Sequence, residues 1–161
     1  MRTTRFLCLS ASLGFLLFGC AGPTIPDKKF AIETLKVDPE TARELVNVYR
    51  RAHGLSAVTV DTTLQKVAQT QANAMASAGL LSHEVEGSLS KRLDRARVPQ
   101  GAAVENVSAG YDSLPRVFAG WQHSPSHNAN LLDPAMHRMG IASAYGEGTR
   151  FKTFWALVMT D

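Results

Sequence analysis

The run Phe151 to Met159 is apolar on both parities. Trp155, Leu157 and Met159 fall on one face of an extended chain, and Phe154, Ala156 and Val158 fall on the other. Strand side chains alternate between two faces, so this strand is buried on both sides. It needs helices above and below it. Met139 to Tyr145 reads as its partner, joined through the hairpin signal Gly146-Glu147-Gly148. Ala102 to Ala109 reads as another strand. The expected fold is α/β (α+β): an α-β-α sandwich whose mostly antiparallel central sheet is covered by helices on both faces.

Helices of the right kind are present. Asp38 is an N-cap candidate with Pro39 at the first position and Glu40 in the first turn. Ala42, Leu45, Val46 and Tyr49 then repeat at helical spacing, and Gly54 is a stop. Val58 and Val60 lead into a second helix capped by Asp61. Its stripe runs Leu64, Val67, Ala68, Gln71, Ala72, Met75, Ala76, with Gly79 at the end. The small residues in that stripe predict close packing. A short third helix spans Leu89 to Ala96 behind Ser88, with Arg92, Arg95 and Arg97 as a solvated face. Ser113 and Pro115 open a fourth, with Leu114, Val117, Phe118 and Trp121 on one face, and Pro125 breaks it. Asn128 to Leu132 reads as a turn.

The amino-terminal region has a different grammar. Arg2 and Arg5 precede an apolar run from Phe6 to Phe18 that is too short to span a bilayer comfortably. This is the pattern of a secretory signal. The following Leu17-Phe18-Gly19-Cys20 resembles a bacterial lipobox, which implies cleavage before Cys20 and lipidation of its thiol. Residues 1–19 are thus expected to be a signal peptide and residues 20–37 a lipidated tether, extended around Gly22, Pro23 and Pro26. The folded domain is expected over 38–161. The implied location is the bacterial cell envelope, anchored to the membrane through Cys20. In a Gram-negative organism, the absence of Asp at position 21 points to the outer membrane, facing the periplasm.

Removing the signal leaves 142 of the 161 residues, enough for one domain with a real core. It takes two of the 17 basic residues and none of the 14 acids, so the net charge falls from +3 to +1. No Lys/Arg stripe with interleaved aromatics occurs, so no nucleic-acid partner is expected. Cys8 leaves with the signal and Cys20 carries lipid, so no disulfide forms within the mature chain.

His83, Glu105 and His127 stand in three separate elements as candidate cleft residues. Glu105 shares its strand face with Ala103, Val107 and Ala109, and a carboxylate there needs a partner. Two histidines are suitable. Trp121 belongs to the apolar stripe of its helix. Asn106 ties backbone near the site, and Asn130 caps a local turn. His53, His123 and His137 read as surface residues, with His123 near enough in sequence to substitute as a ligand. Arg138 is placed to make a salt bridge or to fix the loop after His127.

Ser82-His83, Glu105-Asn106-Val107, Trp121-x-x-Ser124-Pro125-x-His127-x-x-Asn130-Leu131-Leu132, Arg138-Met139-Gly140-Ile141-Ala142 and Phe154-Trp155 occur in that order. They resemble the CAP superfamily of cysteine-rich secretory, antigen 5 and pathogenesis-related 1 proteins, also called the SCP domain, from roughly Thr41 to Asp161. Within that family the chain looks most like the short bacterial lipoprotein branch. The resemblance implies an α-β-α sandwich and a cleft with two His and two acids that binds a divalent metal in some members. His83 and His127 match the histidines and Glu105 the first acid; Ser124 stands where the second acid is expected. Two His and one Glu can hold Zn²⁺ and leave a position open for water. The expected function is a non-enzymatic envelope module whose cleft binds a lipid-like ligand or an envelope partner. The alternatives are a divalent-metal hydrolase using His83, Glu105 and His127, and a structural envelope protein with a vestigial cleft. Ser124 and Ser126 lack the strained Gly-x-Ser-x-Gly elbow of a nucleophile.

Overall fold

A computed structural model describes residues 28–99 and 101–161. The signal segment, Cys20 and most of the expected tether lie outside the described residues. The order of elements is β1 (Ile32–Leu35), α1 (Pro39–Ala52), β2 (Thr59–Val60), α2 (Thr62–Ala78), α3 (Leu89–Arg95), β3 (Ala103–Ala109), α4 (Leu114–His123), α5 (Pro125–Leu131), β4 (Arg138–Gly146) and β5 (Thr153–Thr160). The sheet runs β1-β4-β5-β3 with antiparallel neighbours, and the short β2 adds to β4 in parallel.

β5 is the inner strand that its double apolar pattern requires. Phe154, Ala156 and Val158 pack under α2 and α3, with Leu64, Ala68, Ala72, Met75 and Leu93. Trp155, Leu157 and Met159 pack under α1, α4 and α5, with Val46, Val117, Trp121 and Leu131. Each fully buried large side chain contributes about 1.5–3 kcal/mol. The small-residue stripe of α2 lets that helix lie close on β4. A Cβ at Gly140 would stand 2.2 Å from the Leu64 carbonyl carbon and the Gln65 amide nitrogen. Gln65 uses this proximity to satisfy β4: its Oε1 accepts from the Ile141 N–H at 2.9 Å, and its Nε2 donates to the Ile141 carbonyl.

The caps follow the sequence. Asp38 accepts from the Thr41 amide at 3.1 Å, and Asp61 accepts from Thr63 and Leu64 at 2.7 and 3.0 Å. Ser88 accepts from the Lys91 amide, and Gly79 closes α2 in the left-handed region at φ 62°. Three local readings change. Ile32–Leu35, expected within the tether, is a strand paired with β4, so the sheet begins before Asp38. Its side chains are mostly exposed, so backbone pairing holds it and no apolar period announces it. The expected turn at 128–132 belongs to α5, because Pro125 both ends α4 and opens the next helix at its first position. Arg92, expected on a solvated face, is buried.

Candidate functional site

Glu105 sits in the middle of β3, opposite Val158 of β5, and its side chain is 2 % exposed. The alternation of β3 turns Glu105 toward α2 and α3 and sends Asn106 to the other face. α3 brings Arg92 onto the carboxylate. Nη1 donates to Oε2 at 2.7 Å and Nη2 to Oε1 at 3.0 Å, a forked pair with both side chains buried. The same guanidinium donates to the Gly87 and His83 carbonyls at 3.1 Å each, which fixes the segment between α2 and α3. His83 in that segment hydrogen-bonds Glu105 Oε1 through Nδ1 at 2.7 Å, with its own side chain half-exposed. Arg92 is the site residue that sequence reasoning missed. The available signal was the carboxylate itself, since a buried charge demands a cation.

On the other side of β3, the Asn106 amide donates to the His127 carbonyl at 3.0 Å. Asn130 donates to Asn106 Oδ1 at 2.8 Å and to the Glu105 carbonyl at 3.1 Å. The expected local turn cap is thus a clasp between α5 and the edge strand β3. Tyr49 Oη contacts Asn128 Oδ1 at 2.8 Å and ties α1 to α5. Trp121 is core: it is buried and its indole donates to Ser108 Oγ at 2.8 Å. Ser124 stands at the α4–α5 junction without a side-chain capping bond. His53, His123 and His137 lie at the surface. Arg138 pairs with Asp61 at 3.1 Å and donates to the Asp161 carbonyl. Among the described residues, no three His, Cys, Asp or Glu side chains are arranged to hold a metal ion.

His83 and His127 are pulled in opposite directions. The hydrogen bond that His83 donates to the Glu105 carboxylate raises its pKa above the ordinary 6.5, more than burial lowers it. Burial lowers His127, and the positive field of His83 adds to the effect. His83 therefore adds stability at low pH that is lost as pH rises above 6.5 through its folded value. His127 adds stability at high pH that is lost as pH falls below 6.5 through its folded value. The expected result is two separate imidazole titrations by NMR, one above and one below 6.5. Glu105→Gln should bring the upper one down. A single shared midpoint near 6.5 would refute this electrostatic picture.

A second feature lies away from the histidines. α1 and α4 leave a groove of about 630 Å³ lined by Leu45, Val48, Tyr49, Ala52 and Phe118, with Thr41, Glu44 and Gln122 at its polar rim. Tyr49 and Phe118 meet edge to face at 5.9 Å. Val48 is 55 % exposed. A separate pocket of about 360 Å³, which shares Thr41 with the groove, is lined by Val37, Leu114 and Trp155 among others. The sequence signal was available: Val48 adds an apolar position to α1 outside the core stripe of Ala42, Leu45, Val46 and Tyr49.

The model of the cysteine-rich secretory protein (CAP) family matches residues 43–159. The uncharacterized protein YkwD of Bacillus subtilis is 27 % identical over 100 residues, covering 61 % of this chain and 39 % of YkwD. An extracellular SCP-domain protein of Bacillus anthracis superposes with a TM-score of 0.66 at 25 % identity, over 76 % of this chain and 40 % of that one. An outer surface protein of Borrelia burgdorferi superposes with a TM-score of 0.66 at 21 % identity, over 80 % of this chain and 98 % of that one. The chain thus spans about two fifths of YkwD and of the Bacillus anthracis protein. With the family model covering most of the chain and the sandwich fold in place, the chain belongs to the cysteine-rich secretory protein (CAP) family.

Proposed function

We propose that this protein is a bacterial envelope module, anchored through lipidated Cys20, that binds an acyl chain in the groove between α1 and α4. One observation carries the ligand reading: the groove is an open apolar trough whose size is that of a small-molecule site. This moves the expected lipid-like ligand from the His/Glu cleft to the helical face. The extracytoplasmic location rests on the signal pattern, and relatives described as extracellular and outer-surface proteins support it. No described helix is long and apolar enough to cross a membrane. Cys20→Ser should abolish acyl labelling and membrane fractionation; a variant that still labels and fractionates like wild type would remove the anchor from this reading.

The ligand is tested with the full chain carrying Cys8→Ser and Cys20→Ser, which carries no acyl chain of its own. Saturated fatty acids are titrated while tryptophan fluorescence is followed, because Trp155 lines the neighbouring pocket that shares Thr41 with the groove. Burying a CH₂ is worth about 0.8 kcal/mol, so two more carbons should tighten binding by roughly tenfold until the groove is filled. Val48→Arg should weaken binding by at least about tenfold while changing stability by no more than about 0.5 kcal/mol, as its site is exposed. Saturable binding with no dependence on chain length or on Val48 would show that the groove is not the site.

A further inference from the structure

A divalent metal in this cleft would need the carboxylate of Glu105, and that carboxylate already has a cation. Arg92 meets both oxygens, and His83 Nδ1 takes a second position on Oε1. A zinc ion on a carboxylate oxygen sits about 2.0–2.2 Å away. The guanidinium nitrogens stand at 2.7 and 3.0 Å from those same oxygens, so the two cations would be in near contact. Arg92 has no evident way to withdraw. Its side chain is 2 % exposed, and the Gly87 and His83 carbonyls hold two of its nitrogens. His83 is also oriented by Glu105 through Nδ1, which leaves Nε2 as its available nitrogen. The residues present do not fit a divalent ion.

We propose that Arg92 is the resident cation of this cleft. It stands on Glu105 in place of a divalent metal, and its charge is what keeps zinc off the Glu105 carboxylate and His83. The inference concerns the cleft and is independent of the groove between α1 and α4.

The test uses the full chain with Cys8→Ser and Cys20→Ser, so that no thiol competes. Zinc alone is titrated by calorimetry and by thermal unfolding into this parent and into its Arg92→Gln, Arg92→Lys and His83→Ala derivatives. The parent and Arg92→Lys should show no one-to-one zinc binding that depends on His83. Arg92→Gln should be less stable without metal, should bind one zinc at least about tenfold more tightly than the parent, and should regain thermal stability with it. Adding His83→Ala should remove that gain. One-to-one binding by the parent that disappears with His83→Ala would overturn the inference. So would an Arg92→Gln protein that folds and binds no more tightly than the parent. If Arg92→Gln fails to fold in metal-free buffer, refolding in zinc reads the same exchange: recovery supports the assignment and continued failure overturns it.

Discussion

Replacing Arg50 with alanine is expected to destabilise the protein by about 3–5 kcal/mol, read by chemical denaturation at pH 7. Arg50 belongs to α1 and is fully buried, yet it faces four main-chain carbonyls. Nε donates to Ser56 at 2.9 Å, Nη1 to Leu131 and Asp133 at 2.8 and 2.9 Å, and Nη2 to Met136 at 3.1 Å. Burial pushes this guanidinium below its ordinary value, and the Asp133 carboxylate opposes the shift. Three of these bonds organise the end of α5 and the chain between α5 and β4, which has no strand or helix of its own to satisfy its carbonyls, and the fourth holds the loop after α1. Each buried carbonyl stripped of its donor costs about 1–3 kcal/mol, and water entering the vacated space recovers part of it. Arg50→Lys should lose less, because an ammonium still supplies three donors, but it should not be neutral, because donors from one point cannot reproduce the fork. A loss below about 1 kcal/mol for alanine would mean that water serves the carbonyls as well as Arg50 does.

Glu105→Ala is the second large effect, also about 3–5 kcal/mol, because it strands the buried Arg92 charge. The informative comparison is a double variant. Arg92→Met with Glu105→Leu removes both charges, and apolar replacement of a buried pair is often near neutral. The double variant should therefore be more stable than the sum of the two single losses predicts, by roughly 1–3 kcal/mol. Full neutrality is not expected, since the Gly87 and His83 carbonyls lose their donor. Strict additivity would mean that the pair is not coupled, and it would remove the basis for Arg92 as the cleft cation.

Much of the fold was legible because its signals are local. The double apolar pattern of β5 demanded an inner strand with helices on both faces, and the two core layers meet that demand. Asp38, Asp61, Ser88 and Gly79 marked helix ends through backbone groups within a few residues of each cap. β1 was not legible, since Ile32–Leu35 is held by main-chain bonds to β4 more than one hundred positions later. α5 was misread as a turn because a seven-residue helix has too few positions to establish a period. In the site, alternation along β3 did put Glu105 on an apolar face in need of a partner, and His83 does meet it. Arg92 carries the same charge and flexibility as Arg95 and Arg97, so composition alone could not tell the buried one from its exposed neighbours.

The sequence by itself determined the two-sided sheet, the boundaries of α1 to α4 and the placing of one carboxylate among apolar residues. These follow from the side-chain periods of strand and helix and from capping, all of which act over a few residues. Only the tertiary structure decided which cation neutralises Glu105 and where an apolar surface stays open. The docking of α3 over β3 chose Arg92, and the gap between α1 and α4 left Val48 uncovered. Both outcomes depend on the distance between elements far apart in the chain, which no local pattern encodes.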